Sequence, residues 1–174
     1  MFIDKILEYL LPPIITKFFD FVVHGNTYLA GTWVDIGYEW KTRKELYYAL
    51  FYITKKNGEI EIDGRVYDTN FSYLWSFKSD FCRQKHYTLK FVNVDGENEN
   101  STMKIVRGEF SFTKNGLKSP ASFNGYYISD NGRRTIEGVK LTKNKTRELK
   151  AKYPENSLDP KNILKLLIPY IKDN

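Results

Sequence analysis

Aromatic rings and cationic groups are the side chains that this sequence supplies in quantity for chemistry. Tyr48, Leu50 and Tyr52 alternate along one stretch, and Tyr73, Trp75 and Phe77 along another. At that two-residue spacing the side chains of a strand share one face. Aromatic planes on such a face can stack on nucleobases, and Arg or Lys beside them can pair with phosphate. Arg65, Lys78, Lys90, Arg107, Arg133 and Arg134 supply the cations. Arg107 stands out because it lies between Val106 and Gly108, mid-way along a strand whose other cations gather at the ends. The competing reading of each ring is core filling, and of each cation a solvated outer face.

Catalytic patterns are missing. There is no phosphate-cradling glycine loop, no G-x-S-x-G elbow and no H-E-x-x-H pair. Glu59, Glu61 and Asp63 share a strand face, but Ile60 and Ile62 between them claim the core side, so the acids face water. Cys82 has Arg83 and Lys85 nearby, and cations can depress a thiol pKa. It is the only cysteine, which excludes an internal disulfide and fits a reducing compartment. Together with His24 and His86 it falls short of a four-ligand zinc site made of His and Cys. The sequence therefore points to a binding protein that is not an enzyme, with no metal and no cofactor.

The elements that would hold these side chains fall into three parts. In residues 1–27, Ile3, Ile6, Leu7, Leu10, Ile14, Phe18, Phe21 and Val22 recur at helical spacing, and Pro12-Pro13 breaks the run. Asp4, Glu8, Lys17 and Asp20 interrupt it too, so neither a bilayer span nor a signal peptide fits. The segment suits short helices packed on the main body or on a second copy, or a peripheral membrane contact through residues 1–25.

Residues 28–142 read as eight strands, near 30–40, 46–55, 59–67, 72–80, 86–94, 102–113, 120–129 and 133–142. The dipeptides Asn57-Gly58, Asp95-Gly96, Asn115-Gly116 and Asn131-Gly132 suit tight hairpin turns. Consecutive hairpins without intervening helices predict a mainly β fold, an eight-stranded antiparallel up-and-down barrel whose closure removes exposed edges. Trp33 is placed as the plug of one end. Residues 143–174 form a basic C-terminal extension with eight Lys or Arg against four acids. There Asp159-Pro160 starts a helix, and Ile163, Leu164, Leu167 and Ile171 give it an apolar stripe, expected to cover a barrel mouth or join a dimer seam. The overall charge of +6 allows anionic partners, although DNA is not expected.

Three groups of residues carry a family resemblance. Leu29-Ala30-Gly31-Thr32-Trp33 opens the barrel, Gly58-Glu59-Ile60-Glu61-Ile62 enters the third strand, and Phe123-Asn124-Gly125-Tyr126-Tyr127 runs toward Glu137-Gly138-Val139-Lys140-Leu141. Residues 28–142 thereby resemble the avidin- or lipocalin-like barrel of the two-transmembrane, β-strand-rich effectors of bacterial cyclic-oligonucleotide anti-phage systems (CBASS). The resemblance implies a receptor for a cyclic dinucleotide second messenger in the bacterial cytoplasm or at the inner membrane, with ligand binding linked to self-association into an oligomer. This chain departs from the pattern where two transmembrane helices should stand, which leaves effector, sensor and sponge all open. Expected ligand contacts are Trp33, Tyr48, Tyr52, Arg65, Trp75, Lys90, Arg107, Tyr127 and Arg134. The alternatives are a lipocalin-like carrier of an apolar molecule, whose interior should hold no charge, and a solid barrel that serves structure or oligomerisation.

Overall fold

Within Thr32-Trp33-Val34-Asp35-Ile36-Gly37-Tyr38 apolar groups occur at both odd and even positions, so a strand made of them must be covered on both faces. The computed structural model, which describes residues 29–56, 58–96, 104–113 and 119–173, shows what covers them. Eight strands pair in sequence order and the last pairs with the first, closing an antiparallel barrel. They are β1 (Gly31–Glu39), β2 (Glu45–Lys56), β3 (Glu59–Tyr67), β4 (Tyr73–Lys85), β5 (Thr88–Gly96), β6 (Lys104–Phe112), β7 (Ser122–Ser129) and β8 (Gly132–Lys140). Closure is made by β1 against β8, with Trp33 opposite Lys140 and Ile36 opposite Glu137. The expected eight-stranded up-and-down barrel is thus the fold. The readings of residues 1–27 lie outside the described residues.

Inside the barrel, large rings lie on glycines. A Cβ added to Gly138 would sit 2.2 Å from the Phe123 ring, and one added to Gly64 would sit 2.5 Å from Phe77. These positions lack a side chain because the opposite ring occupies its volume, the small-against-large matching that fills a narrow barrel.

Outside, two helices follow the strands: α1 (Lys143–Lys152) and α2 (Pro160–Lys172). The α2 start is as expected, with the Asp159 carboxylate accepting from the Lys161 N–H at 2.8 Å and Pro160 in the first turn. Its position differs from the expectation of a mouth cover. Leu164 and Leu167, both fully buried, join Val34, Ile36, Tyr48 and Leu50 in one apolar cluster on the barrel wall. The outward residues of β1 and β2 are apolar, and burying that wall against the α2 stripe removes both surfaces from water. At the far end of α2, the Lys172 ammonium meets Glu45 at 2.8 Å, and the Tyr48 hydroxyl donates to Glu45 at 2.9 Å.

Two strand limits also differ from the sequence reading. β4 continues to Lys85 across a bulge between Ser79 and Phe81, and the chain turns at His86 with φ of 51°. No glycine announces that turn, since histidine here takes the left-handed conformation itself. Asp95-Gly96, read as a turn, instead pairs with Phe77 and Ser76 inside the β4–β5 ladder.

Candidate ligand site

The two ends of the barrel are built differently. At the end where β1 begins, Trp33 is fully buried and its indole N–H donates to the Leu29 carbonyl at 2.9 Å. Phe112 and Phe123 meet its ring edge-on, with centroids 5.0 and 5.6 Å away. Phe110 and Phe51 extend the stack inward at 5.4 Å from each other. The Lys140 ammonium lies 5.3 Å from the Trp33 centroid and donates to Ser119 Oγ at 3.1 Å. This end is sealed by a solid aromatic plug.

At the other end the packing stops short and leaves a cavity of about 460 Å³, its open mouth included. Tyr47, Trp75 and Tyr127 stand in its walls, with Tyr47 6.3 Å from Trp75 and 6.1 Å from Tyr127 between ring centroids. Gly37 makes room for Tyr47: an added Cβ would fall 2.0 Å from the ring. Phe77, Phe91 and Phe110 line it deeper in. Ligand pockets are typically mostly apolar with a few polar groups, and the lining here follows that pattern.

Besides the Tyr47 and Tyr127 hydroxyls and the Trp75 indole N–H, the cavity lining holds Asp35 of β1 and Asn93 of β5, 4% and 5% exposed. The Oδ1 atoms of both are buried without a hydrogen-bond partner. Leaving a buried acceptor unsatisfied costs about 1–3 kcal/mol, so both oxygens favour a donor brought into the cavity. Burial also pushes the Asp35 carboxyl well above the usual carboxylate range. Burial thus favours the neutral carboxyl, since no charged group is among the causes that would offset the loss of water.

The expected ligand contacts divide into three groups. Trp75 and Tyr127 line the cavity. Arg134 sits half-buried at its rim, opposite Tyr127 in the β7–β8 ladder and opposite Glu39 in the β8–β1 ladder. Trp33 is inside the barrel but belongs to the plug at the far end. The others are on the outer wall. Tyr48 is buried under α2, its ring 5.4 Å from Phe71, and Tyr52 is exposed. Arg65, between inward Gly64 and Val66, is exposed; so is Arg107, opposite Ile128. Lys90 is exposed too and pairs with Glu109 at 3.6 Å. Alternation explains each case: the residues flanking these cations take the interior, and a charge beside them must face water. Tyr73 leaves the face of Trp75 because β4 carries a register shift opposite Val66 and Tyr67.

Asp35, Asn93 and Tyr47 were not singled out from sequence, although one signal for Asp35 was present. A plug at Trp33 places the residue two positions on, Asp35, on the same inward face. Asn93 follows from inward Phe91 in the same way. Cys82 is half-buried, and desolvation raises its pKa, so the flanking cations do not activate it. Among the described residues no three His, Cys, Asp or Glu side chains gather as metal ligands, and no helix is long and apolar enough to cross a membrane.

Fold and cavity together define a small antiparallel barrel, plugged at one end and, among the described residues, open at the other, with a polar pair set in aromatic walls. No protein-family model matches the chain, and no curated protein matches it.

Proposed function

We propose that the barrel is a non-catalytic receptor that takes the base of a cyclic nucleotide into its open end and leaves the phosphates at the rim. The observation that carries this reading is the pair of unpartnered oxygens, Asp35 Oδ1 and Asn93 Oδ1, in a cavity walled by Tyr47, Trp75 and Tyr127. A planar heterocycle with N–H donors matches both features: its faces stack on the rings and its edge meets the oxygens. The rim supports the second half of the reading. Lys41 and Lys44 of the β1–β2 turn and Arg134 of β8 belong to the same end of the barrel and would supply cations for a phosphate there. Two acids at this end are engaged locally: the Asp68 carboxylate accepts the Asn70 and Ser72 N–H groups, and Glu39 accepts from the Thr42 hydroxyl.

The resemblance of residues 28–142 to anti-phage barrels supports the choice of a cyclic nucleotide over other heterocycles. In that setting the amphipathic segment 1–25 would provide a membrane or self-association contact, and ligand would act by favouring one of two states of the assembly.

A second reading, a carrier of an apolar molecule, draws on the apolar majority of the cavity lining and on the absence of Arg107 from the interior. Thermal unfolding of the full chain with cyclic di- and trinucleotides and with fatty acids separates the two. A nucleotide at 100 times its Kd should add about 2.7 kcal/mol of stability, and Trp75→Ala should reduce that gain. Stabilisation by fatty acids alone would overturn the receptor reading in favour of the carrier.

A further inference from the structure

Arg107, a cation in mid-strand, ends on the outer wall, and its neighbours there form a surface of their own. α2 packs on β1, β2 and β8, while Arg107 belongs to the opposite side, β4 to β7. The ladders set Phe81, Val92, Arg107, Ile128 and Arg133 in one row running from β4 to β8. Ile105, two positions before Arg107 on the same face, is diagonal to both Val92 and Ile128. Phe81, Ile105 and Ile128 are 55%, 57% and 51% exposed. Exposed apolar residues scattered singly are ordinary on a protein surface, whereas contiguous ones mark a contact. Here they are contiguous, and an arginine stands among them.

The charges of this wall are mostly positive. Lys78, Arg83 and Arg107 are exposed, and Arg107 has no ion-pair partner among the described residues. At the edge of the row the Arg133 guanidinium lies over the Trp40 ring at 3.9 Å and the Tyr126 ring at 4.5 Å. Two acids stand against these cations, Asp80 and Glu109, and Glu109 is already paired with Lys90 at 3.6 Å.

This combination decides between partners. A second copy docked through the same face would meet itself across a two-fold axis and bring the surplus cations together. Single-stranded nucleic acid would satisfy the charge, but its bases stack on planar rings, and Ile105, Ile128 and Val92 have none. An anionic bilayer satisfies both features. Its acyl boundary takes apolar side chains, and its headgroups attract Lys and Arg. Trp40 and Tyr126, each with an apolar body and a polar tip, suit the level between the two.

We propose that the β4–β7 wall is a docking surface for an anionic phospholipid membrane. Phe81, Ile105 and Ile128 enter the headgroup boundary, and Lys78, Arg83 and Arg107 meet the lipid phosphates. The contact is separate from residues 1–25 and from the cavity, so it holds whatever ligand the cavity takes.

The test is flotation of the full chain, without nucleotide, on vesicles of phosphatidylcholine alone and of phosphatidylcholine mixed equally with phosphatidylglycerol. Binding to the mixed vesicles should be roughly fivefold or more the stronger and should weaken at high salt. Arg107→Glu, and Phe81→Ser combined with Ile128→Ser, should each reduce it by a similar factor. Leu158→Ser, which removes an exposed apolar side chain elsewhere, should leave it unchanged. On the unaltered chain, mixed vesicles should slow phenylglyoxal modification of Arg83 and Arg107 while Arg147 of α1 reacts as before, which decides the matter even if a variant does not fold. Equal binding to both kinds of vesicle, or none, would overturn the proposal. So would patch variants that bind like the parent, which would assign the contact to another part of the chain such as residues 1–25. Patch variants that abolish self-association or oligonucleotide binding and leave vesicle binding intact would overturn it in favour of those partners. None of these results bears on the receptor reading, which the nucleotide titration tests separately.

Discussion

The plugged end and the open end of the barrel are made from the same eight strands and the same kinds of residue, yet they answer to different demands. Around Trp33 every ring has a ring or a glycine against it, and the one polar atom of the indole has a partner. Around Asp35, only two positions along the same strand, the walls stand apart and two oxygens lack donors. Close packing with satisfied polar groups stabilises; space with unsatisfied ones leaves work for a ligand. The comparison places the close-packed, satisfied interior at one end and, on the proposed reading, the recognition chemistry at the other.

Substitutions can break this contrast. The largest effect is expected at the plug: Trp33→Ala should lower unfolding free energy by roughly 3–5 kcal/mol, the range for deleting a buried Trp or Phe. Chemical denaturation measures it, and a loss below about 1 kcal/mol would contradict a packed end. Gly138→Ala comes next, because its Cβ would meet Phe123 at 2.2 Å and the Val34 carbonyl at 2.8 Å. Overpacking of this kind costs roughly 1–3 kcal/mol. An unchanged midpoint would mean that the ring moves aside freely.

Asp35→Asn sharpens the comparison from the other end. Burial raises the native carboxyl pKa above its unfolded value, so the native state holds a proton that the unfolded chain releases. Stability should therefore be full below the ordinary carboxylate range and fall as pH rises toward the native pKa. The Asn variant should lack that decline and be more stable than the parent at neutral pH. Parallel pH profiles of the two proteins would remove the argument that Asp35 is a strained, neutral group. The smallest effect is expected outside both ends. Lys172→Ala removes a part-exposed pair with Glu45 and should cost about 0.2–1 kcal/mol, with less at high salt.

Much of this architecture was legible in sequence. Glu59-Ile60-Glu61-Ile62 alternates cleanly because β3 has water on one side, and Asn131-Gly132 marks a turn because Gly132 takes a φ of 97°. The rest was hidden for definite reasons. Tyr48 has the composition and spacing of a ligand-facing ring, but α2 supplies an apolar surface on the outside of β2, so its alternation is apolar toward both sides. Tyr73 was displaced by a register shift that no residue type announces. The cations at 65, 90 and 107 were read for their charge, whereas their flanking Gly64, Val66, Phe91 and Val106 decide where they point. Conversely, Asp35 was overlooked as one polar residue in an aromatic strand, although its distance from Trp33 already implied its direction.

The covering of β1 by α2 has a consequence for how the molecule is made. The strand that seals the barrel against β8 also needs the helix on its back, and that helix is synthesised only after all eight strands. Until it arrives, Val34, Ile36 and Leu50 lack the cover that the helix gives them on whatever sheet has assembled. Chains cut short before Pro160 should thus clump or be captured by chaperones during translation, even though every barrel strand is already present.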